Sequence, residues 1–354
     1  MGHASGVEAI AAEHSEAVFG RTLNPSEFRL SLLAGGTRQV YRIEPSDQRL
    51  PRIVLKVRSH GGGKHDDRQA ITVQTEHEFA VHAAVYQVMQ GAGRADHGVP
   101  RPIFSLPERG LLFMEEAAGK PVKQFISREW LGLANSAENE RRMRRCGEWL
   151  FTFAVRAGHL PQPAPSDADS VLAVGRVNHH VYCLIGLTGA RLVARMLEQV
   201  RHRLKGYRID AGRAARIQDA FATALSGLDG ERDLQGNVHG KYSIADVLIS
   251  PDRVVAIDLE QTARGTLYLD PAYFLSQLVM IMRWQPVGSL RRTAALRTAF
   301  LAGRAPAGEL DEPTLDAFIA YFLVNSLRPG GGPAGLTARL RAAQWIDAWV
   351  QRVQ

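Results

Sequence analysis

Two aspartates and two lysines carry the chemical interest of this chain. In the run Asn237 to Gly265, His239-Gly240-Lys241 precedes Asp246 and an apolar strand, Val247-Leu248-Ile249. The turn Ser250-Pro251-Asp252-Arg253 follows, fixed locally by its Pro and Asp, then a returning strand, Val254 to Ile257, and Asp258. A carboxylate that closes a fully apolar strand faces a cleft or water; the plainer alternative is a turn-capping aspartate. Asp246 and Asp258 are hard oxygen donors of the kind divalent cations take. Lys56 lies in another apolar run, Ile53-Val54-Leu55-Lys56-Val57. Its alternation puts Ile53, Leu55 and Val57 on one face, Val54 and Lys56 on the other. Taken alone, Lys56 reads as a surface lysine on an edge strand.

These residues need elements to position them. Residues 8–20 read as a helix, and Phe28 to Ile43 as strand, turn, strand, with Gly35-Gly36-Thr37 at the turn. The strand bearing Lys56 is third. Gly61-Gly62-Gly63 links it to a long helix, roughly Arg68 to Met89. Ile103 to Leu106 and Leu111 to Met114 are two further strands, and Glu115 to Gly119 leaves the sheet. Beyond this the pattern is mostly helical, apart from the Asp246–Asp258 hairpin. Pro161 to Asp169 is a loop, Asp270-Pro271 starts a helix with a favourable cap and an N1 proline, and Gly330 to Pro333 sets off the final helix.

Composition narrows the class. The chain has 354 residues, 45% hydrophobic and 22% charged, which suffices for two lobes around a cleft. The net charge of +7 suits an anionic ligand. Neither zinc-finger spacing nor an RNP-like aromatic strand accompanies it, so no nucleic-acid partner is expected. Two cysteines, Cys146 and Cys183, are too few for a disulfide framework and suit a reducing, cytoplasmic setting. The N-terminus lacks the pattern of a signal peptide. Tyr268 to Trp284 is too short and too polar to span a bilayer and reads as a buried helix, so no transmembrane segment is expected. Gly61-Gly62-Gly63-Lys64 fails as a P-loop, because no Ser or Thr follows the lysine. His179-His180 with Cys183 lacks the partner pair a zinc site needs.

The His-Gly-x loop, the apolar hairpin and the terminal Ile-Asp resemble the aminoglycoside-phosphotransferase-like family of small-molecule kinases. The likeness covers roughly residues 28–285 and is strongest at 236–278. It implies an α+β, bilobal protein-kinase-like fold. A small N-terminal lobe, residues 1–116, would hold an antiparallel sheet and one long helix. A larger, mostly helical lobe, residues 117–354, would hold the catalytic hairpin 237–265. The resemblance also implies an ATP- and Mg²⁺-dependent phosphotransferase acting on a small molecule. Lys56 would contact the α- and β-phosphates, oriented by an acid of the following helix, Glu78 or its near alternative Glu76. Gly35, Gly36 and Thr37 would approach the phosphates. The backbone after Met114, at Glu115 and Ala117, would hydrogen-bond adenine. Asp246 and Asp258 would hold Mg²⁺, with His239 bracing the loop, Glu260 a further acid, and Asp270 tying the loop down.

One position departs from the family pattern. Where the family loop has its catalytic aspartate, this chain has Lys241, and Asp246 stands in place of the usual Asn. Losing a general base costs ~10²–10⁴ in rate, yet positioning and electrostatics carry most of phosphoryl transfer. Three outcomes follow. The chain is an active kinase whose acceptor is already anionic, or in which Asp246 or Glu260 replaces the base. It is a pseudokinase that binds nucleotide or a protein partner. Or it is a different enzyme on the same scaffold. The retained Lys56, Asp246 and Asp258 favour the first.

Overall fold

The computed structural model of the protein describes residues 2–34, 38–58, 66–91, 93, 95–130, 136–157, 160, 184–228, 234–281, 289–304, 310–327 and 332–354. The Gly35-Gly36-Thr37 turn, the Gly61–Lys64 link, the 161–169 loop, His179, His180 and Cys183 lie outside the described residues.

Two short helices, α1 (Gly2–Glu13) and α2 (Ser15–Phe19), replace the single helix expected over 8–20. Strands β1 (Phe28–Ala34), β2 (Arg38–Pro45) and β3 (Ile53–Arg58) lead to the 26-residue helix α3 (Asp66–Gly91). After β4 (His97–Gly98) come β5 (Pro102–Leu106) and β6 (Leu111–Glu115). The main sheet runs in the order β1-β2-β3-β6-β5, every described pairing antiparallel. β3 is therefore central, with Lys56 between Val40 and Leu112, and the edge-strand reading of Lys56 falls.

The remainder is mostly helical. β7 (Lys120–Pro121) precedes α4 (Val122–Trp130), α5 (Ser136–Phe151), α6 (Gly189–Gly206) and α7 (Ala211–Ala224). β8 (Gln235–Val238), β9 (Val247–Ile249), β10 (Val254–Ala256) and β11 (Ala263–Thr266) frame the candidate loop. Helices α8 (Leu269–Ile281), α9 (Ser289–Arg304), α10 (Glu312–Asn325) and α11 (Gly332–Val353) complete the chain.

The β9–β10 hairpin matches the expected strand pair. Its extension into a sheet β4-β10-β9-β7, and the β8–β11 ladder, were not expected. Two-residue strands such as β4 and β7 have no periodicity of their own; a distant partner creates them. Among the described helices none is long and apolar enough to cross a membrane.

Among the described residues, buried apolar side chains form two clusters. The smaller joins Val7, Leu23 and Phe28 to Tyr41, Ile43, Leu55 and Phe113 of the main sheet. The larger fills the helical part and also takes Val81, Val85 and Met89 of α3. The helix that faces Lys56 is thus held by the same core that holds the loop, through Tyr242 and Ile244. Within the larger cluster α5 and α9 cross closely at two glycines. A Cβ on Gly147 would stand 2.0 Å from the Phe300 carbonyl oxygen, and one on Gly303 2.0 Å from that of Arg144.

Candidate functional site

Lys56 is the centre of the site. Its side chain is buried, with Nζ 2.8 Å from Glu78 Oε1, 2.5 Å from Asp258 Oδ1 and 3.6 Å from Glu260 Oε2. Burial alone would strip the lysine of its proton, but the charges of Asp258, Glu78 and Glu260 outweigh it and raise the Lys56 pKa. Burial would likewise raise Glu78, but Lys56 and Arg58 hold its carboxyl well below the usual carboxylate range.

Of the two acids on α3, Glu78 meets the lysine. Gln74, Glu78, Val81, His82, Val85 and Met89 form one buried stripe at helical spacing, whereas Glu76 is exposed. That stripe was the signal available in the sequence. His82, one turn beyond Glu78, is fully buried, and neither ring nitrogen has a hydrogen-bond partner among the described residues. Burial pushes its pKa down to about 4.

Arg58 is a site residue that the sequence reading missed. It follows Lys56 by two residues and shares its strand face. Its guanidinium bonds Glu78 Oε2, and it donates to Glu260 Oε2 at 2.9 Å. Glu260 is fully buried. Glu78, Asp258 and Glu260 lie close enough together to hold a cation, but Lys56 and Arg58 already neutralise this group. Behind it, a His77 ring nitrogen lies 3.2 Å from the Thr262 carbonyl oxygen, which ties α3 to the segment after Asp258.

The loop of His239 to Asp246 rests on an aromatic column. Trp149 stacks on Tyr242 (centroids 5.3 Å), Tyr242 on Phe274 (5.3 Å) and Phe274 on Phe300 (4.6 Å). Each such pair contributes about 0.5–1.5 kcal/mol beyond its buried area. The polar ends are satisfied, since Trp149 Nε1 donates to the Gly98 carbonyl at 2.8 Å and the Tyr242 hydroxyl to that of Cys146 at 2.9 Å.

Asp270 pins the loop from below. Its carboxylate accepts from the backbone amides of His239 (2.6 Å), Gly240 (3.0 Å) and Tyr242 (3.3 Å). The loop tie expected of Asp270 is seen, while its reading as a helix cap is corrected: α8 begins at Leu269, and the carboxylate serves the loop. Gly240 has φ +82°, and a Cβ there would stand 2.5 Å from the Gln261 carbonyl oxygen.

His239 is fully buried among Trp149, Phe153 and Tyr242, with Nε2 2.9 Å from the Ile257 carbonyl oxygen. Burial lowers its pKa. This position braces the loop against the strand leading to Asp258 and offers no proton to the cleft.

Asp246, Asp258 and Lys241 form the open side of the site. The Ile257 amide donates to the Asp246 backbone carbonyl at 2.9 Å, which joins the two aspartate segments. The Asp246 carboxylate accepts from the Ser243 hydroxyl at 2.6 Å. Burial, and then the charge of Asp258, push the Asp246 carboxyl up to about 6. A bound cation would relieve the part of this shift that comes from Asp258. The donor set is hard oxygen throughout, and it fits Mg²⁺. Asp258 itself has φ +67°, a costly conformation for a residue with a Cβ. Lys241 Nζ lies 3.7 Å from Asp258 Oδ2. An open groove lined by Pro121, Lys123, Gln124, Ser127 and Ala245 runs up to the loop beside Asp246.

The strand end after Met114 is largely spoken for. The Glu115 amide donates to the Arg101 carbonyl at 2.9 Å and the Glu116 amide to that of Arg52 at 2.8 Å. Sheet pairing thus uses the Glu115 N–H. The Ala117 amide has no hydrogen-bond partner among the described residues.

No protein-family model matches the chain. No curated protein matches it either. Solved structures do. Choline kinase from Cryptosporidium parvum Iowa II is 12% identical, with 99% of this chain and 95% of that one covered and a TM-score of 0.53. Glucosamine kinase in complex with glucosamine, ADP and inorganic phosphate is 16% identical, covering 96% and 84%, with a TM-score of 0.52. The streptomycin–ATP–APH(2")-IIa ternary complex is 10% identical, covering 97% and 96%, with a TM-score of 0.51. At these identities the likeness is one of fold.

Proposed function

We propose, from the fold it shares with these small-molecule kinases, that the protein transfers the γ-phosphoryl group of ATP to a small molecule, working in the cytoplasm. The observation that carries this reading is Lys56 Nζ held between Glu78 (2.8 Å) and Asp258 (2.5 Å). Three segments far apart in sequence, β3, α3 and the end of the hairpin, converge on one ammonium group. A lysine so restrained is placed to meet phosphate oxygens without reorganising. Ala117 would donate its amide to adenine. Asp246 and Asp258 would hold Mg²⁺, which neutralises phosphate charge when bound.

The acceptor follows from Lys241. An ammonium group on the loop cannot take a proton from a hydroxyl. It can hold an anion. In this reading the acceptor is a carboxylate or phosphate whose oxygen is already charged, and Lys123 in the adjoining groove adds a second cation. That oxygen attacks the γ-phosphorus, the bond to the β,γ-bridging oxygen breaks, and ADP leaves with the electron pair. No proton moves.

A second reading, a nucleotide-binding pseudokinase that acts through a protein partner, is favoured by the same 3.7 Å approach of Lys241 to Asp258. A melting curve with ATP, with and without Mg²⁺, tests nucleotide use, since a ligand of the folded state raises stability by RT ln(1 + [L]/Kd). ATP turnover against carboxylates, phosphorylated metabolites, sugars, aminoglycosides and amino alcohols then separates the two readings. No shift at millimolar ATP would rule out both. Binding without transfer to any acceptor would leave the pseudokinase.

A further inference from the structure

We infer that Lys241 stands in for a divalent cation, so that the site holds its nucleotide with one metal ion rather than two. The inference rests on the nucleotide-binding reading above and deepens it.

The argument starts from the charges in the site. Among the described residues, three cations, Lys56, Arg58 and Lys241, face four carboxylates, Glu78, Asp246, Asp258 and Glu260. The formal balance is one negative charge. With aspartate at position 241, two cations would face five carboxylates and the balance would be three. Phosphoryl-transfer sites of the two-metal kind use two dications to cover such an excess and the nucleotide phosphates together. Here the protein supplies part of that charge itself.

The geometry agrees with the count. Asp258 has one oxygen against each lysine, Oδ1 at 2.5 Å from Lys56 and Oδ2 at 3.7 Å from Lys241. A metal shared between Asp246 and Asp258 adds to this arrangement. Any dication on Asp258 would meet the repulsion of both ammonium groups in a partly buried, weakly screened setting, and a second would meet that of the first as well. Glu260, the remaining acid of the hairpin, is fully buried and held by Arg58 at 2.9 Å, so it does not open a second metal position.

The test counts Mn²⁺ bound to the full chain in the presence of a saturating non-hydrolysable ATP analogue, read from the loss of the free-ion EPR signal. Wild type is expected to bind one Mn²⁺ per nucleotide complex. Lys241→Asp is expected to bind two, and Lys241→Met to gain a second Mn²⁺ at least tenfold weaker than the first. Melting curves check that both variants fold. Two Mn²⁺ per complex in wild type, or one in folded Lys241→Asp, overturns the inference and leaves nucleotide binding intact. If wild type retains neither nucleotide nor Mn²⁺, the nucleotide-binding reading falls and this inference with it.

Discussion

Lys241 Nζ approaches Asp258 Oδ2 to 3.7 Å, on the carboxylate oxygen opposite the one that Lys56 holds. Both side chains of the Lys241 pair keep some solvent contact, at 23% and 19% exposed. The effect of the lysine is felt on the charge at the mouth of the site.

The acceptor class is decided by Lys241→Asp. With an anionic acceptor, the substitution replaces an attractive charge by a repulsive one, and ATP turnover should fall against the wild-type substrate. If turnover instead rises on a hydroxyl acceptor, by up to the ~10²–10⁴ that a general base contributes, the anionic-acceptor reading is wrong.

Lys56→Met should abolish the ATP-dependent rise in melting temperature, whereas Lys64→Ala should leave it in place. The variant also leaves Glu78 with Arg58 as its remaining cationic bond. Breaking a buried pair costs ~3–5 kcal/mol, and Arg58 should keep the loss toward the lower end. Chemical denaturation measures the second effect, thermal shift the first. Equal sensitivity at Lys56 and Lys64 would misplace the phosphate site.

Asp246 sets a pH dependence. Its folded carboxyl titrates at about 6 against an ordinary 3.8, so between these values the folded chain binds more protons than the unfolded one. Its contribution to stability therefore falls as pH rises through that window. Asp246→Asn should remove this slope, seen as the difference between the two proteins' stability–pH curves. Mg²⁺ must displace the same proton, so the Mg²⁺-dependent part of the nucleotide shift should grow from pH 5 to pH 7.

His82 acts in the opposite sense. Its folded pKa of about 4 lies below the ordinary 6.5, so the unfolded chain takes up the proton first. Stability from this group is lost as pH falls from 6.5 to 4. His82→Leu, which also removes two buried ring nitrogens lacking hydrogen-bond partners among the described residues, should flatten the acid limb of the melting profile. An unchanged limb would place the acid sensitivity elsewhere.

The loop anchor is tested by Asp270→Ala, which strands the amides of His239, Gly240 and Tyr242. A buried unsatisfied group costs ~1–3 kcal/mol, so the loss of stability should be several kcal/mol. Gly240→Ala, strained by φ +82°, should lower stability by ~1–3 kcal/mol. If both variants melt as wild type does, the loop is held by something other than this carboxylate.

The sequence by itself determined what is local. Alternation in Ile53 to Val57 defined β3, and the apolar runs on either side of Ser250–Arg253 defined the hairpin whose ends carry Asp246 and Asp258. Element order followed from the same periodicities, and with it the α+β arrangement. Lys241 was legible as a substitution because the loop around it keeps its spacing.

Tertiary structure decided what depends on direction across distance. Two residues apart on a helix, Glu76 and Glu78 point to nearly opposite sides; the apolar stripe marks which side is buried, and the packing of α3 sets that side onto Lys56. Asp270 carries the sequence signature of a cap and the resemblance implied a loop tie; the fold chose the second by bringing three loop amides to its carboxylate. Arg58 and Glu260 are 202 residues apart. A charge pair of that range leaves no periodic trace, because its energy arises only when folding removes both groups from water and leaves each as the other's means of neutralisation.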